Sequence, residues 1–346
     1  MEKSRHHFFE EITIVKGIAI LLVMLGHAIT QTGQEGVFLN KVHQVIYSFH
    51  MPLFFFASGF LSVRLLEARD WRSRISYIGS RTLRLLIPYF FVGILYMFAG
   101  GYYYHNPEVF SKGTITNLLL GLNMNPELWF LYVLWLITIT TTLLVRRKTL
   151  WFWLIVSCVL SWRSYHFSFS NGTYYLFFSY TFYVVLGMLV RCFYSDIRER
   201  LKNKWIFFGV LFAFGIGNYV QMLVREGKIA FSSSAMDGII LITAFWGIVL
   251  FVDIAIEITD NVSQENRVRK FLALCGVYCM DLYILSAPIK VLVRILFWET
   301  LHWNYLICTF LCFFLPLVLV LVISKMIIRK SMLLSILFLG GYDNKL

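Results

Sequence analysis

Long apolar runs alternate with short charged segments along this chain of 346 residues. A membrane-spanning helix needs about 20 mainly apolar residues, because each residue adds about 1.5 Å across a hydrocarbon core about 30 Å thick. The pattern predicts ten spanning helices, at residues 11–31, 43–63, 85–104, 127–145, 149–164, 173–192, 205–223, 234–257, 271–297 and 304–324. The predicted fold is therefore an all-α polytopic membrane bundle, with residues 1–346 forming a single integral-membrane domain.

The composition excludes an ordinary soluble protein. Hydrophobic residues make up 59% of the chain and charged residues 14%, whereas soluble domains have about half and about a quarter. The net charge of +12 does not indicate binding to nucleic acid, because the basic residues concentrate in alternate loops. Cytoplasmic loops carry such an excess, so we expect cytoplasmic N- and C-termini in a protein of the inner (plasma) membrane. The polar N-terminus runs into a full-length span without a small-residue cleavage site, which favours a retained helix over a signal peptide.

Two of the predicted spans contain a histidine, which is costly at bilayer depth unless it has a partner. In the first span, Lys16 and His27 are eleven residues apart, which places them on one helix face about 16 Å from each other. In the second span, His50 precedes Pro52, and the missing N–H of the proline predicts a kink beside the histidine. Each histidine therefore becomes a candidate for function, with a hydrogen-bonded packing residue as the structural alternative.

Metal binding is not expected at these positions. No carboxylate accompanies the histidines at ligand spacing. The six cysteines lie in or beside apolar spans, where buried cysteine usually acts as a small hydrophobic residue.

Arg81 and Arg84 lie on adjacent helical turns at the predicted cytoplasmic entrance of the third span. Two planar guanidinium groups in this arrangement suit phosphate oxygens. Arginines that set the topology and contact lipid headgroups are the alternative. The immediate entry into a helix, followed by Pro88, favours a ligand role for this pair.

Five segments resemble, in the same order, blocks of the bacterial membrane acyltransferase family 3. They are KGIAILLVMLGH (16–27), FHMPLFFFASGF (49–60), RTLRLLIPY (81–89), ELWFLYVLW (127–135) and CMDLYILSAPI (279–289). The amino-acid sequence of the second block is most similar to the fucose 4-O-acetylase-like branch. The resemblance implies about ten helices, and transfer of an acetyl group from cytoplasmic acetyl-CoA to a hydroxyl of a sugar or related acceptor at the outer side.

By position, the resemblance also implies roles for individual residues. His27 matches the family's essential histidine of the first helix, and Arg81 with Arg84 matches its RxxR pair. Lys16 stands where many members have arginine, which keeps the charge but loses the bidentate fork. Ser286 stands where many members have a second histidine, so a mechanism that needs one near this position does not apply here.

Acetyl transfer to an alcohol needs a base for the hydroxyl proton. We predict His27 for this role, either as a direct base or as a residue that carries the acetyl group itself. A carboxylate is expected to fix its tautomer, and the candidates are Glu127 and Asp281. The alternatives are a helix N-terminal acid for Glu127 and an ion pair of Asp281 with Lys290 or Arg294.

The remaining candidates concern the binding of the two substrates. We expect Lys16, Arg81 and Arg84 to bind the acetyl-CoA donor. His50, Ser58 and Trp129 are expected to line the substrate cavity, with an aromatic belt at the membrane interface as the alternative for the tryptophan.

The predicted function is that of a membrane O-acetyltransferase, with a cell-surface or lipid-linked glycan as acceptor. The expected partners are this acceptor and membrane lipid, without nucleic acid or a metal cofactor. The oligomeric state stays open, with a homodimer among the alternatives. A transporter or flippase for a polar or lipid-linked metabolite is the alternative function, although no inverted repeat is visible in the sequence. A non-enzymatic membrane sensor or export partner with the same fold is a second alternative.

Overall fold

The computed structural model describes residues 9–31, 36–63, 66, 70–103, 111–121, 127–164 and 172–342. The regular secondary structure of these residues is helical throughout. The helices are α1 (Glu10–Gln31), α2 (Val37–Tyr47), α3 (His50–Leu61), α4 (Trp71–Tyr103), α5 (Lys112–Leu119), α6 (Trp129–Leu144), α7 (Leu150–Arg163), α8 (Gly172–Cys192), α9 (Tyr194–Leu201), α10 (Lys204–Arg225), α11 (Ser233–Asn261), α12 (Arg267–Val277), α13 (Cys279–Val293), α14 (Tyr305–Ile323) and α15 (Met332–Leu339). Two π-helical segments, Arg294–Thr300 and Ser324–Ile328, extend α13 and α14.

The predicted all-α polytopic bundle is confirmed. Within the described residues, seven helical segments are long and apolar enough to cross a membrane. Two further pairs qualify only together, α6 with α7 at a bend of 101° and α12 with α13 at a bend of 80°. Counting each bent pair as one span gives nine, one fewer than predicted, because the predicted spans 127–145 and 149–164 are the two arms of the first pair.

Two ion pairs show that the start of α1 and the end of α14 lie at the same end of the bundle. Glu10, the first residue of α1, binds the guanidinium group of Arg269 on α12 at 2.7 and 2.8 Å. Arg329, which follows α14, binds Asp281 at the start of α13 at 2.7 Å. This arrangement agrees with termini on one side of the membrane. The cytoplasmic assignment of that side stays a prediction.

The predicted kink in the second span is confirmed as a break between α2 and α3. Helix α2 ends at Tyr47 and α3 begins at His50. Pro52 therefore lies in the first turn of α3, where its missing N–H interrupts no intrahelical hydrogen bond. The two helices together still form one candidate span, Val37–Leu61.

Helices α3 and α8 cross with their backbones in contact. A Cβ atom on Gly59 of α3 would lie 2.0 Å from the carbonyl oxygen of Val184, and one on Gly187 of α8 would lie 2.1 Å from that of Phe56. Small residues permit this approach, which is how membrane helices gain close packing without a hydrophobic driving force. The crossing fixes the position of α3 in the bundle.

Gly187→Ala is expected to lower the melting temperature of the purified protein in detergent. The new methyl group has to push backbone atoms apart, and overpacking of this kind costs about 1–3 kcal/mol. Gly209→Ala on α10 is the matched control, because nothing lies within 4 Å of its Cβ position and alanine is the better helix former. Equal melting temperatures for the two variants would contradict the close crossing.

Candidate active site

A cavity of about 230 Å³ contains the three cations that the sequence predicts to bind the donor. Lys16 reaches it from α1, and Arg81 and Arg84 reach it from successive turns of α4. The predicted cavity residue Ser58 lines it as well. The guanidinium carbon of Arg81 lies 5.0 Å from the ring centroid of Tyr77, which also lines the cavity. The structure thus brings together the four predicted residues, Lys16, Ser58, Arg81 and Arg84, which are up to 68 positions apart in the sequence.

A second group of polar residues surrounds His27, and we call it the His27 cluster. Its members are His27, Tyr47, Glu127, Tyr283 and Lys290. The Nδ1 atom of His27 lies 3.4 Å from the Tyr47 hydroxyl and 3.7 Å from Oε1 of Glu127. The Lys290 ammonium group donates to both oxygens of that carboxylate, at 2.8 and 3.1 Å. The Tyr283 hydroxyl donates to the main-chain carbonyl of Glu127.

Burial differs sharply within the His27 cluster. The side chain of Lys290 is 1% exposed and that of Glu127 is 10% exposed, whereas that of His27 is 25% exposed. A buried carboxylate and a buried ammonium group each need the other as a counter-charge. Lys290 therefore holds Glu127 in place, and His27 is the most exposed of the three.

The cavity and the His27 cluster are connected by two neighbouring helices. Helix α1 carries Lys16 at the cavity and His27 in the cluster, which are about 16 Å apart along the helix. Helix α13 carries Cys279 in the cavity wall and Lys290 in the cluster. Tyr283 belongs to both places, because it lines the cavity while its hydroxyl reaches Glu127.

Comparison with known proteins shows the family of this chain. Residues 9–325 match the family model described as an acyltransferase domain. The chain belongs to acyltransferase family 3. Together with the apolar helices, this makes it a multi-pass membrane protein of that family.

The chain is also similar to two curated proteins over part of their length. It is 27% identical over 151 residues to the nodulation protein NolL of Mesorhizobium japonicum, an alignment that covers 42% of this chain and 38% of that protein. It is 40% identical over 81 residues to the nodulation protein NolL of Sinorhizobium fredii, covering 22% of this chain and 21% of that protein. The alignments thus span less than half of either relative. No solved structure gives a significant match.

In this chain, Asp281 lies apart from His27. Its carboxylate accepts hydrogen bonds from Nε and Nη2 of Arg329, at 3.0 and 2.7 Å. Lys290, the predicted alternative partner of Asp281, binds Glu127 instead, about 14 Å further along α13. The predicted ion pair of Asp281 with Lys290 is therefore wrong, and Glu127 is the candidate that the structure brings to the histidine.

The other predicted ion-pair partner, Arg294, also has a different carboxylate. Its Nε atom lies 3.3 Å from Oε1 of Glu299, close to the surface. The ion pair of Asp281 with Arg294 is wrong as well, because thirteen helical residues place that arginine about 20 Å from the start of α13.

His50 and Trp129 do not line the cavity in the part of the chain that the structure describes. His50 is buried and its Nδ1 atom donates to the carbonyl of Ile46 at 2.8 Å. Trp129 stacks on Tyr180, with ring centroids 5.4 Å apart, and Tyr180 in turn stacks on Phe55 at 4.5 Å. His50 thus makes the packing contact that was its structural alternative, and Trp129 packs among aromatic rings.

Sequence reasoning missed Tyr47 and Tyr283 as members of the site. Tyr47 precedes the block at 49–60, and Tyr283 lies within the block at 279–289. With 19 tyrosines in the chain, residue type alone does not distinguish these two. Their contacts with His27 and Glu127 depend on how α2 and α13 pack.

Proposed function

We propose that this acyltransferase moves an acetyl group from acetyl-CoA to a hydroxyl of a cell-surface or lipid-linked glycan. The observation that carries the proposal is the presence, on the one helix α1, of a cation-lined cavity at Lys16 and of the partly exposed His27 beside Glu127. Acetyl as the transferred group and a sugar as the acceptor are supported by the five blocks that resemble the family's sequences. The compartments follow from the loop charges, with the cavity toward the cytoplasm and His27 toward the outer side.

The cavity suits a thioester that carries phosphate groups. Lys16, Arg81 and Arg84 supply positive charge, and guanidinium groups bind phosphate oxygens in a bidentate manner. Apolar side chains make up much of the remaining wall, namely Phe54, Leu61, Leu85, Phe130, Leu131, Leu134, Val277 and Met280. In this arrangement the phosphates stay at the Lys16 end and the acyl arm extends along α1 toward His27.

His27 acts as the base. Its Nδ1 atom faces Glu127 and Tyr47, so Nε2 is the nitrogen that takes the proton of the acceptor hydroxyl. The hydroxyl oxygen forms a bond to the thioester carbonyl carbon. The C–S bond then breaks, and the imidazolium returns its proton to the departing sulfur. Glu127, held by Lys290, orients the imidazole and stabilises its protonated form.

Transfer of radiolabel tests the proposal. The purified protein is added to glycan-containing membranes of a deletion strain together with acetyl-CoA labelled in the acetyl group. We expect label in the glycan as a base-labile ester, and release of one free CoA thiol for each ester formed. Label that stays on CoA while a polar metabolite crosses the membrane would contradict the proposal and favour a transporter or flippase.

A further inference from the structure

A second cavity, of about 330 Å³, adjoins the first at the Lys16 end of the bundle. Arg84, Val277 and Met280 line both cavities. The rest of its wall comes from the start of α13, the end of α14 and the region of α15: Asp281, Arg329, Ser335, Leu339, Gly341 and Tyr342. The first cavity, which we call the donor cavity, therefore adjoins further space beyond Arg84.

Arg329 is held rigidly in the wall of the second cavity. Besides its two hydrogen bonds to Asp281, its Nη2 atom donates to the carbonyl of Val277 at 3.1 Å. Its guanidinium carbon lies 4.0 Å from the ring centroid of Tyr278. The Asp281 side chain is 0% exposed and that of Arg329 is 17% exposed, so the arginine separates the carboxylate from solvent. The guanidinium group is thus oriented before any ligand arrives, which lowers the entropic cost of binding.

Helix α15 closes the cavity as a packed element. Phe338 contacts Phe91 of α4, with ring centroids 5.1 Å apart. Gly340 ends the helix with a φ of 68°, and a Cβ atom there would lie 2.3 Å from the carbonyl oxygen of Arg84. The backbone of α15 is therefore seated directly against the residue that the two cavities share.

The charges of the two cavities indicate an anionic ligand with more than one charged group. Four cations line them, Lys16, Arg81, Arg84 and Arg329, against one carboxylate, Asp281. Coenzyme A carries its negative charge at two places, the diphosphate bridge and the 3′-phosphate of its ribose. Two adjoining cavities that share an arginine fit two phosphate centres within one molecule.

We propose that the second cavity binds the 3′-phosphorylated nucleoside end of the acyl donor, with Arg329 and Arg84 on the 3′-phosphate. The diphosphate and the acyl arm then lie in the first cavity. This assignment rests on the proposed function, and it makes the second cavity the site that distinguishes acetyl-CoA from donors lacking the 3′-phosphate. A phospholipid headgroup offers the same phosphate chemistry, and the experiment below separates the two sources.

Initial rates with acetyl-CoA and with acetyl-dephospho-CoA test the proposal on the wild-type protein. We expect a KM about 10- to 100-fold higher for the dephospho donor at similar kcat, since hydrogen bonds to charged groups are worth about 1.5–3 kcal/mol and each 1.4 kcal/mol is tenfold. Equal KM values for the two donors would overturn the proposal.

The double variant Arg329→Met/Asp281→Asn tests the cavity itself. Both residues are changed because each single change would leave the charge of the other residue without its counter-charge. The KM ratio of the two donors is expected to fall several-fold, with Arg84 retaining part of the discrimination. Lys330→Met, an exposed neighbour outside the cavity lining, should keep the ratio, and Arg81→Gln should raise both KM values by a similar factor. A double variant that folds and keeps the full ratio would refute the assignment.

Competition on the wild-type protein covers the case in which the double variant does not fold. Adenosine 3′,5′-bisphosphate is expected to inhibit at about tenfold lower concentration than AMP, because AMP lacks the 3′-phosphate and its contact. Equal inhibition would overturn the proposal. Equal KM values together with a copurifying phospholipid would assign the cavity to a lipid headgroup, and this result would also overturn the proposal. Absence of transfer from either donor would instead overturn the proposed function, and preferential equilibrium binding of the bisphosphate over AMP would still support the phosphate site.

Discussion

His27→Asn is expected to lower the rate of acetyl transfer by about 10²- to 10⁴-fold, the range found when a general base is lost. Asparagine cannot take the hydroxyl proton or carry positive charge. The KM for acetyl-CoA should change little, because Lys16 and the donor cavity lie about 16 Å away along α1. Label transfer by the purified variant at saturating acetyl-CoA measures the loss.

A second histidine provides the control for this variant. His302 is exposed and has a φ of 52°, a conformation that asparagine tolerates. His302→Asn should therefore retain the wild-type rate. A normal rate in folded His27→Asn would contradict the assignment of the base. Rapid quenching in the absence of acceptor separates the two roles of His27. Acetyl label on the wild-type protein, together with its absence on His27→Asn, would identify His27 as an acyl carrier.

Lys290→Met is expected to cause the next largest loss, a fall in kcat of about 10- to 100-fold with little change in the KM for acetyl-CoA. Lys290 is not among the described residues that line the donor cavity, and its ammonium group donates to Glu127. Its effect passes through Glu127, whose carboxylate loses both hydrogen bonds and is no longer held beside the imidazole. Loss of one member of a buried ion pair also costs about 3–5 kcal/mol of stability, which thermal unfolding of the purified protein measures.

Two further variants separate positioning from folding. Glu127→Gln/Lys290→Met removes both charges and should recover much of the stability while kcat stays low. Arg294→Met removes a partner of Glu299 in an ion pair at 3.3 Å with side chains 32% and 44% exposed, and such pairs are worth about 0–1 kcal/mol. Recovery of both stability and kcat in the double variant would show that Lys290 has only a structural role.

The helical architecture and the shared helix face of Lys16 and His27 could be predicted because both depend on local sequence. Apolar runs of membrane length specify the helices without reference to their neighbours. The spacing of Lys16 and His27 specifies a shared face once α1 is helical. The break beside His50 follows from the covalent structure of Pro52. Each of these inferences needs only residues within one element.

The partners of the charged residues could not be predicted, because they depend on how distant elements pack. Glu127 and Lys290 are 163 residues apart in the sequence, and Asp281 and Arg329 are 48 apart. The next cation after Asp281 in its own segment is Lys290, about 14 Å further along the helix. The packing of α14 against α13 brings Arg329 to Asp281 instead. The second cavity was missed for the same reason, since the apolar segment at 332–339 gives no sign that it packs against α4.

The length of helix α1 constrains the site independently of its side chains. An α-helix neither stretches nor twists freely, so the number of residues between Lys16 and His27 sets both their separation and their relative direction. One inserted residue would turn His27 by about 100° away from its face, and four inserted residues would restore the direction but add about 6 Å. The reach of the acyl arm is thus encoded as a count of residues. Insertions and deletions within α1 should be tolerated far less than most substitutions along it.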